Sequence, residues 1–180
     1  TFSLLFDWHC QRFGIPQNNA GQEQKIVVLG MGKLGAGELN YSSDIDLIFM
    51  YPEMGSTVGG KRSVTNEEFF VSLCQKFLKI FGSKGIEGII FRVDMRLRPF
   101  GESGPLAMSF NATEEYYQRH GSEWERYAFI KAKTVAGDKY AGAKFLERLQ
   151  PFIYRRYLDY GVYESLREMK QKISREVEKR

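Results

Sequence analysis

An α+β fold, with a compact unit of strands and one helix set between helical segments, is predicted for this chain by three observations. Stretches 26–29, 44–51 and 89–97 have the composition of strands. A strongly amphipathic helix separates the second from the third. Helical spacing then recurs at both ends of the chain. The 180 residues suit roughly one domain, and 43% apolar with 27% charged residues is ordinary for a soluble globular protein. That balance argues against a disordered, collagenous or disulfide-stapled chain. No run of about 18 apolar residues suggests a membrane span.

The elements follow in order. Phe2, Leu5, Phe6, His9, Cys10 and Phe13 recur at helical spacing, and 14–21 reads as a loop because it carries Gly, Pro and Asn-Asn. Residues 26–29 are apolar and β-branched, as in a buried strand. A glycine-rich segment, 30–37, leads to a second strand at 44–51, and a polar loop is expected over 53–63. Thr65 and Glu68 have the spacing of a capping box. Phe69, Phe70, Leu73, Cys74, Phe77, Leu78 and Phe81 then fall on one helix face, stopped at Gly82. Residues 89–97 alternate as a third strand, and Pro99, Gly101, Gly104 and Pro105 mark a loop. Helices are expected at 111–120, 122–136, 140–150 and 160–180, the last with Val162, Leu166, Met169, Ile173 and Val177 as a core or interface stripe. This divides the chain into an N-terminal helix and linker (1–24), a core (25–110) and a helical region (111–180). The start at Thr1 and the uncapped helical pattern at Arg180 read as a piece of a larger protein.

Basic residues number 26 against 22 acidic, a net charge of +4 that fits phosphate-bearing partners without demanding them. Cys10 and Cys74 lie far apart, on apolar helix faces, and the default is a reduced, cytoplasmic protein. With His9 and His120 they form no familiar metal spacing.

Gly30-Met31-Gly32-Lys33-Leu34-Gly35 matches a dinucleotide-binding fingerprint. The reading fails on spacing. A parallel crossover needs about a dozen residues and a real helix, and the stretch before Asp44 is too short and too broken. An antiparallel or splayed strand pair fits better. In Ser42-Ser43-Asp44-Ile45-Asp46 the two aspartates share a strand face. Two carboxylates beside a buried strand repel and lose hydration, which a hard cation such as Mg²⁺ relieves. The alternative is a solvated pair at a strand end. In 92–98, Arg92, Asp94, Arg96 and Arg98 alternate with apolar residues. Beside the Asp44 strand, Asp94 completes a three-carboxylate site, with Arg96 and Arg98 as planar donors for phosphate oxygens. Alternatively, Asp94 simply pairs with its arginines on a solvent-facing strand. Glycine loop, paired carboxylates and a third carboxylate together are what phosphoryl and nucleotidyl transfer requires.

The strings GMGKLGAGELNYSSDIDLIF, RVDMRLRPFGESGPL and WERYAFIKAK strongly resemble the glutamate–ammonia ligase adenylyltransferase family, over about residues 25–180. The resemblance implies a polymerase beta-like nucleotidyltransferase fold: a small mixed sheet flanked by helices, followed by a helical region cut short here. Members carry an N-terminal domain that removes AMP from glutamine synthetase and a C-terminal one that adds it. Asn40, Phe100-Gly101-Glu102-Ser103 and Arg126-Tyr127 resemble the removing half; the transferase half typically reads ELGYSSD, RPSG and WEHQAL.

The implied reaction is Mg²⁺-dependent phosphorolysis of adenylyl-tyrosine on adenylylated glutamine synthetase, giving ADP. Carried over, Asp44, Asp46 and Asp94 are the catalytic, metal-holding carboxylates. Gly32, Ser42 and Ser43 match the loop at the nucleotide phosphates, with Lys33, Arg96 and Arg98 as further phosphate candidates; Lys33 also reads as a plain surface lysine. Implied partners are glutamine synthetase, phosphate, ADP and, through the full-length enzyme, the PII signal protein, with no nucleic acid and no membrane. The competing functions are the ATP-using transferase half, a catalytically silent nucleotide-binding module and, weakest, a Rossmann oxidoreductase domain. Trp124, Tyr127, Ala128 and Val135 read as helix packing rather than adenine stacking. Arg126 and Lys131 read as helix salt bridges, and His120 as a helix end.

Overall fold

The computed structural model describes residues 2–40, 43–82 and 92–154, together with 167, 170 and 171. The helix expected at 160–180, and the first part of the 89–97 strand, fall outside the described residues apart from these.

Five strands form a mixed sheet: β2 (Val27–Gly30), β3 (Ile45–Tyr51), β5 (Val93–Asp94), β6 (Ala107–Ser109) and β7 (Lys133–Gly137). Its order is β5-β3-β2-β7, with β6 also pairing β3. β2 runs antiparallel to β3 and β7; β5 and β6 are parallel to β3 and lie along successive parts of its length. β3 is central and its last five residues are all buried, as its unbroken apolar run anticipates. The antiparallel β2–β3 pair, joined through the short α2 (Gly32–Ala36), excludes the Rossmann crossover.

Helices cover both faces. Leu47, Phe49 and Tyr51 belong to one core with α3 (Asn66–Gly82), onto which α1 (Phe2–Phe13) packs through stacked Phe2 and Phe77 rings. The capping box at its head is present: the Thr65 amide donates to Glu68 Oε2 at 2.9 Å and the Glu68 amide to Thr65 Oγ1 at 3.1 Å. Ile48 and Met50, one position out of phase, belong to a second core. That core includes residues of α4 (Phe110–His120), α5 (Glu123–Phe129), α6 (Lys139–Arg148) and α7 (Gln150–Ile153).

Several expectations are corrected. Stretches 14–21 and 53–63 are not merely loops: β1 (Gly14–Asn18) and β4 (Gly55–Gly59) pair antiparallel as a two-stranded ribbon. Their Gly, Pro and Asn content hides a pairing made across more than thirty-five residues of chain (Asn18 to Gly55). The helix expected over 122–136 ends at Phe129, and 133–137 becomes β7. There Thr134 and Val135 favour extended backbone and the open edge of β2 supplies a partner. The sheet therefore draws on residues beyond the expected core limit of 110. Trp124 and Tyr127, read as packing residues, stand 47% and 45% exposed on α5.

His9 was legible as part of the apolar face of α1, and it is buried there. Its Nδ1 bonds to the Leu5 carbonyl at 3.0 Å and its Nε2 to Ser72 Oγ at 3.4 Å. Burial holds its pKa below the ordinary 6.5, reinforced by the nearby Lys76 and Arg12 charges. A lowered basic pKa means the unfolded chain takes up the proton first. The neutral ring's contribution is intact above pH 6.5 and is lost as pH falls from there to the folded value. The melting temperature is expected to drop on acidification through this window, and His9→Gln to flatten that part of the profile; thermal unfolding followed by circular dichroism reads both.

Candidate active site

The glycine-rich turn brings backbone against β3. Gly32 has φ +52°, a left-handed conformation, and a Cβ there would sit 3.4 Å from Asp46 Oδ2. Gly35 is more tightly constrained: a Cβ would meet the Lys131 carbonyl oxygen at 2.0 Å. The Met31 amide donates to the Asp46 carbonyl at 2.9 Å, which fixes the turn to β3 at that residue. Lys33 Nζ donates to Ser43 Oγ at 3.3 Å, and Ser43 Oγ in turn donates to Asn40 Oδ1. Ser42 lies outside the described residues.

Asp46 and Asp94 are register neighbours on the parallel strands β3 and β5. Burial pushes the Asp46 carboxyl above the usual carboxylate range; the Asp94 charge adds to this, Arg96 opposes it, and Asp44 adds a smaller push. Asp94 is held below that range, chiefly by the Arg96 side chain. Arg96 donates through Nε to Asp94 Oδ2 at 2.8 Å, and its backbone amide donates to Oδ1, also at 2.8 Å. Asp44, just before β3, pairs through Oδ1 with Arg92 Nε at 2.7 Å.

In kind, this donor set fits a hard divalent cation: carboxylates on adjacent strands, one of them with its pKa raised by burial and then by its neighbour's charge. In position it is not ready-made. Among the described residues no three His, Cys, Asp or Glu side chains already stand close enough to hold one ion. The Asp44 and Asp94 carboxylates are turned to arginines instead. A cleft of about 240 Å³ adjoins them, lined by Asp44, Arg92, Asp94, Arg96 and Glu102 among others.

Arg98 departs from the expected pattern. The alternation of 92–98 holds only through Asp94; the backbone then turns, with the Arg98 amide donating to the Met95 carbonyl. Arg98 is 8% exposed. It donates to the carbonyls of Met95 (2.8 Å), Glu102 (3.0 Å) and Gly104 (3.3 Å). Its guanidinium braces the loop instead of standing free beside Arg96. Tyr117 adds a second brace from α4, its hydroxyl donating to the Leu97 carbonyl at 2.8 Å. Arg92 belongs to the alternating run, and nothing local in the sequence distinguishes it as a site residue. The Arg126–Glu123 and Lys131–Glu38 pairs are salt bridges, the second reaching from the end of α5 to the glycine turn.

A family model described as glutamate-ammonia ligase adenylyltransferase matches residues 1–148. The chain belongs to this family. Among curated relatives, a bifunctional glutamine synthetase adenylyltransferase/adenylyl-removing enzyme of Pseudomonas syringae pv. tomato is 57% identical over 181 residues, covering 100% of this chain and 18% of the relative. Proteins of the same description from Pseudomonas aeruginosa (58% over 182 residues) and Nitrosococcus oceani (55% over 178) each cover 98% of this chain and 18% of the relative. The chain thus spans less than a fifth of the length of these glutamate-ammonia ligase adenylyltransferase relatives. No helix among the described residues is long and apolar enough to cross a membrane.

Proposed function

We propose that this chain carries the adenylyl-removing site of its family: phosphorolysis of the AMP ester on a tyrosine of glutamine synthetase, with Mg²⁺ held by Asp44, Asp46 and Asp94. The observation that carries the reading is the register pairing of Asp46 with Asp94, beside a cleft lined by Arg92 and Arg96. Asn40, Phe100 to Ser103, and Arg126-Tyr127 favour removal over transfer, since these are the positions at which the family's two halves differ.

In this reading an oxygen of hydrogen phosphate attacks the α-phosphorus of the tyrosyl-AMP diester. The bond from phosphorus to the phenolic oxygen breaks, the phosphate's proton passes to that oxygen, and ADP leaves. A phenol with a pKa near 10 is a moderate leaving group that needs no dedicated acid. A bound divalent cation supplies charge neutralisation at the α-phosphoryl oxygens and the attacking anion. Arg96 orients the incoming phosphate with its planar donors. Gly32 lets backbone approach the nucleotide, and Lys33 and Ser43, hydrogen-bonded to each other, serve its phosphates; Ser42 is assigned the same part from the family pattern alone. Arg98 holds the loop on which Arg96 sits.

The test mixes the full chain, adenylylated glutamine synthetase, inorganic phosphate and Mg²⁺. Phosphate-dependent ADP release is the expected result. ATP-dependent labelling of glutamine synthetase with release of pyrophosphate assigns the transferase reaction instead. Binding of Mg·ADP without turnover assigns a silent regulatory module.

A further inference from the structure

We infer that Arg92 and Arg96 are exchangeable partners of the site carboxylates: an entering divalent cation takes Asp44 and Asp94 from them, and the freed guanidiniums take the phosphate anion in the adjoining cleft. Metal and phosphate then bind with positive coupling. The inference rests on the metal-dependent reading above.

Two of the three site carboxylates are already engaged by arginines. Asp44 Oδ1 is held by Arg92 Nε at 2.7 Å. Asp94 Oδ2 receives both Nε and a terminal nitrogen of Arg96, at 2.8 and 2.5 Å. A cation that takes these oxygens competes with a guanidinium at each.

Displacement is easy for these two arginines. Their side chains are 67% and 72% exposed, so each can swing without disturbing a core. The Arg92–Asp44 pair is exposed on both sides, and such pairs are weak and readily exchanged; Asp94 is only 15% exposed, so Arg96 leaves it as the cation arrives and takes its place. Arg98 is the internal contrast: buried on three carbonyls, it cannot leave without unpinning the loop. The backbone bond from Arg96 to Asp94 Oδ1 does not depend on the side chain, so the carboxylate stays in place when the guanidinium departs.

The same residues line the 240 Å³ cleft, which gives the displaced groups a destination. A cation alone leaves two guanidiniums unpaired beside it. An anion alone enters a cleft shared with Asp44, Asp94 and Glu102. Both together give the two guanidiniums and the Asp44 and Asp94 carboxylates each an opposite charge. That is a differential interaction free energy between the two ligands, and it acts equally in both directions.

The experiment titrates the full chain with Mn²⁺, a paramagnetic stand-in for a hard cation, with and without saturating inorganic phosphate, reading free ion by electron paramagnetic resonance. Phosphate is expected to tighten Mn²⁺ binding about tenfold, and Mn²⁺ to tighten phosphate binding in equilibrium dialysis by the same factor. In an Arg92→Ala/Arg96→Ala variant, with an unchanged circular dichroism spectrum, the coupling is expected to fall to about twofold or less. Undiminished coupling in that variant overturns the inference, because phosphate then acts by bridging the ion itself. Mn²⁺ binding that is indifferent to phosphate in the unaltered chain also overturns it. Absence of Mn²⁺ binding under every condition defeats the metal-dependent reading as well, which marks that failure apart.

Discussion

Asp46→Asn is expected to lower phosphate-dependent ADP release by about 10³-fold or more, on the scale of losing a group that stabilises transition-state charge, and to raise the melting temperature at neutral pH. The two effects have one cause. Among the described residues Asp46 is the carboxylate that folding disfavours: it is partly desolvated and stands next to Asp94. Its folded pKa lies above the ordinary value, so folding favours its protonated form. That contribution is fully present below the unfolded pKa and is lost as pH rises through the folded one, so at neutral pH the ionised group is a burden on stability. Asparagine removes the burden and the proposed cation ligand together. Thermal unfolding and an ADP assay on one preparation check the prediction; a variant both slower and less stable points to a structural aspartate.

Arg98→Ala is expected to cost about 3 kcal/mol, a large single-site effect, because three carbonyls lose a buried, charged donor at once. Urea unfolding measures it. Arg98→Lys is expected to recover little, since a single ammonium on a flexible stem does not reproduce a planar fork reaching three acceptors. Activity falls in both variants through the loop that carries Arg96. The competing assignment of Arg98 as a phosphate ligand makes a different forecast: unchanged stability, with only the apparent affinity for phosphate reduced.

Local pattern revealed much of the fold and part of the site. The β2 and β3 strands, the α3 helix with its capping box, and the short glycine turn were readable because apolar runs, cap chemistry and spacing are properties of neighbouring residues. The aspartates stood out for the same reason: charge at the start of an apolar strand is conspicuous. What stayed hidden depends on distant partners. β1 and β4 are extended because each completes the other, and nothing in GIPQN or GSTVG alone announces it. Lys133–Gly137 continues a helical pattern until β2 claims it. Arg98 follows the same alternation as Arg96, and only the turn after Met95 separates the buried brace from the exposed donor.

The position of β7 bears on how the chain acquires its shape during synthesis. One edge of β2 is covered by residues 133–137, which leave the ribosome about a hundred residues after their partner. Until then the nascent sheet presents a bare row of amide and carbonyl groups on a wholly apolar strand, an invitation to pair with another chain. A fragment ended near residue 110 would be locked in that sticky intermediate, so excision of the sheet region for expression has to extend past Gly137.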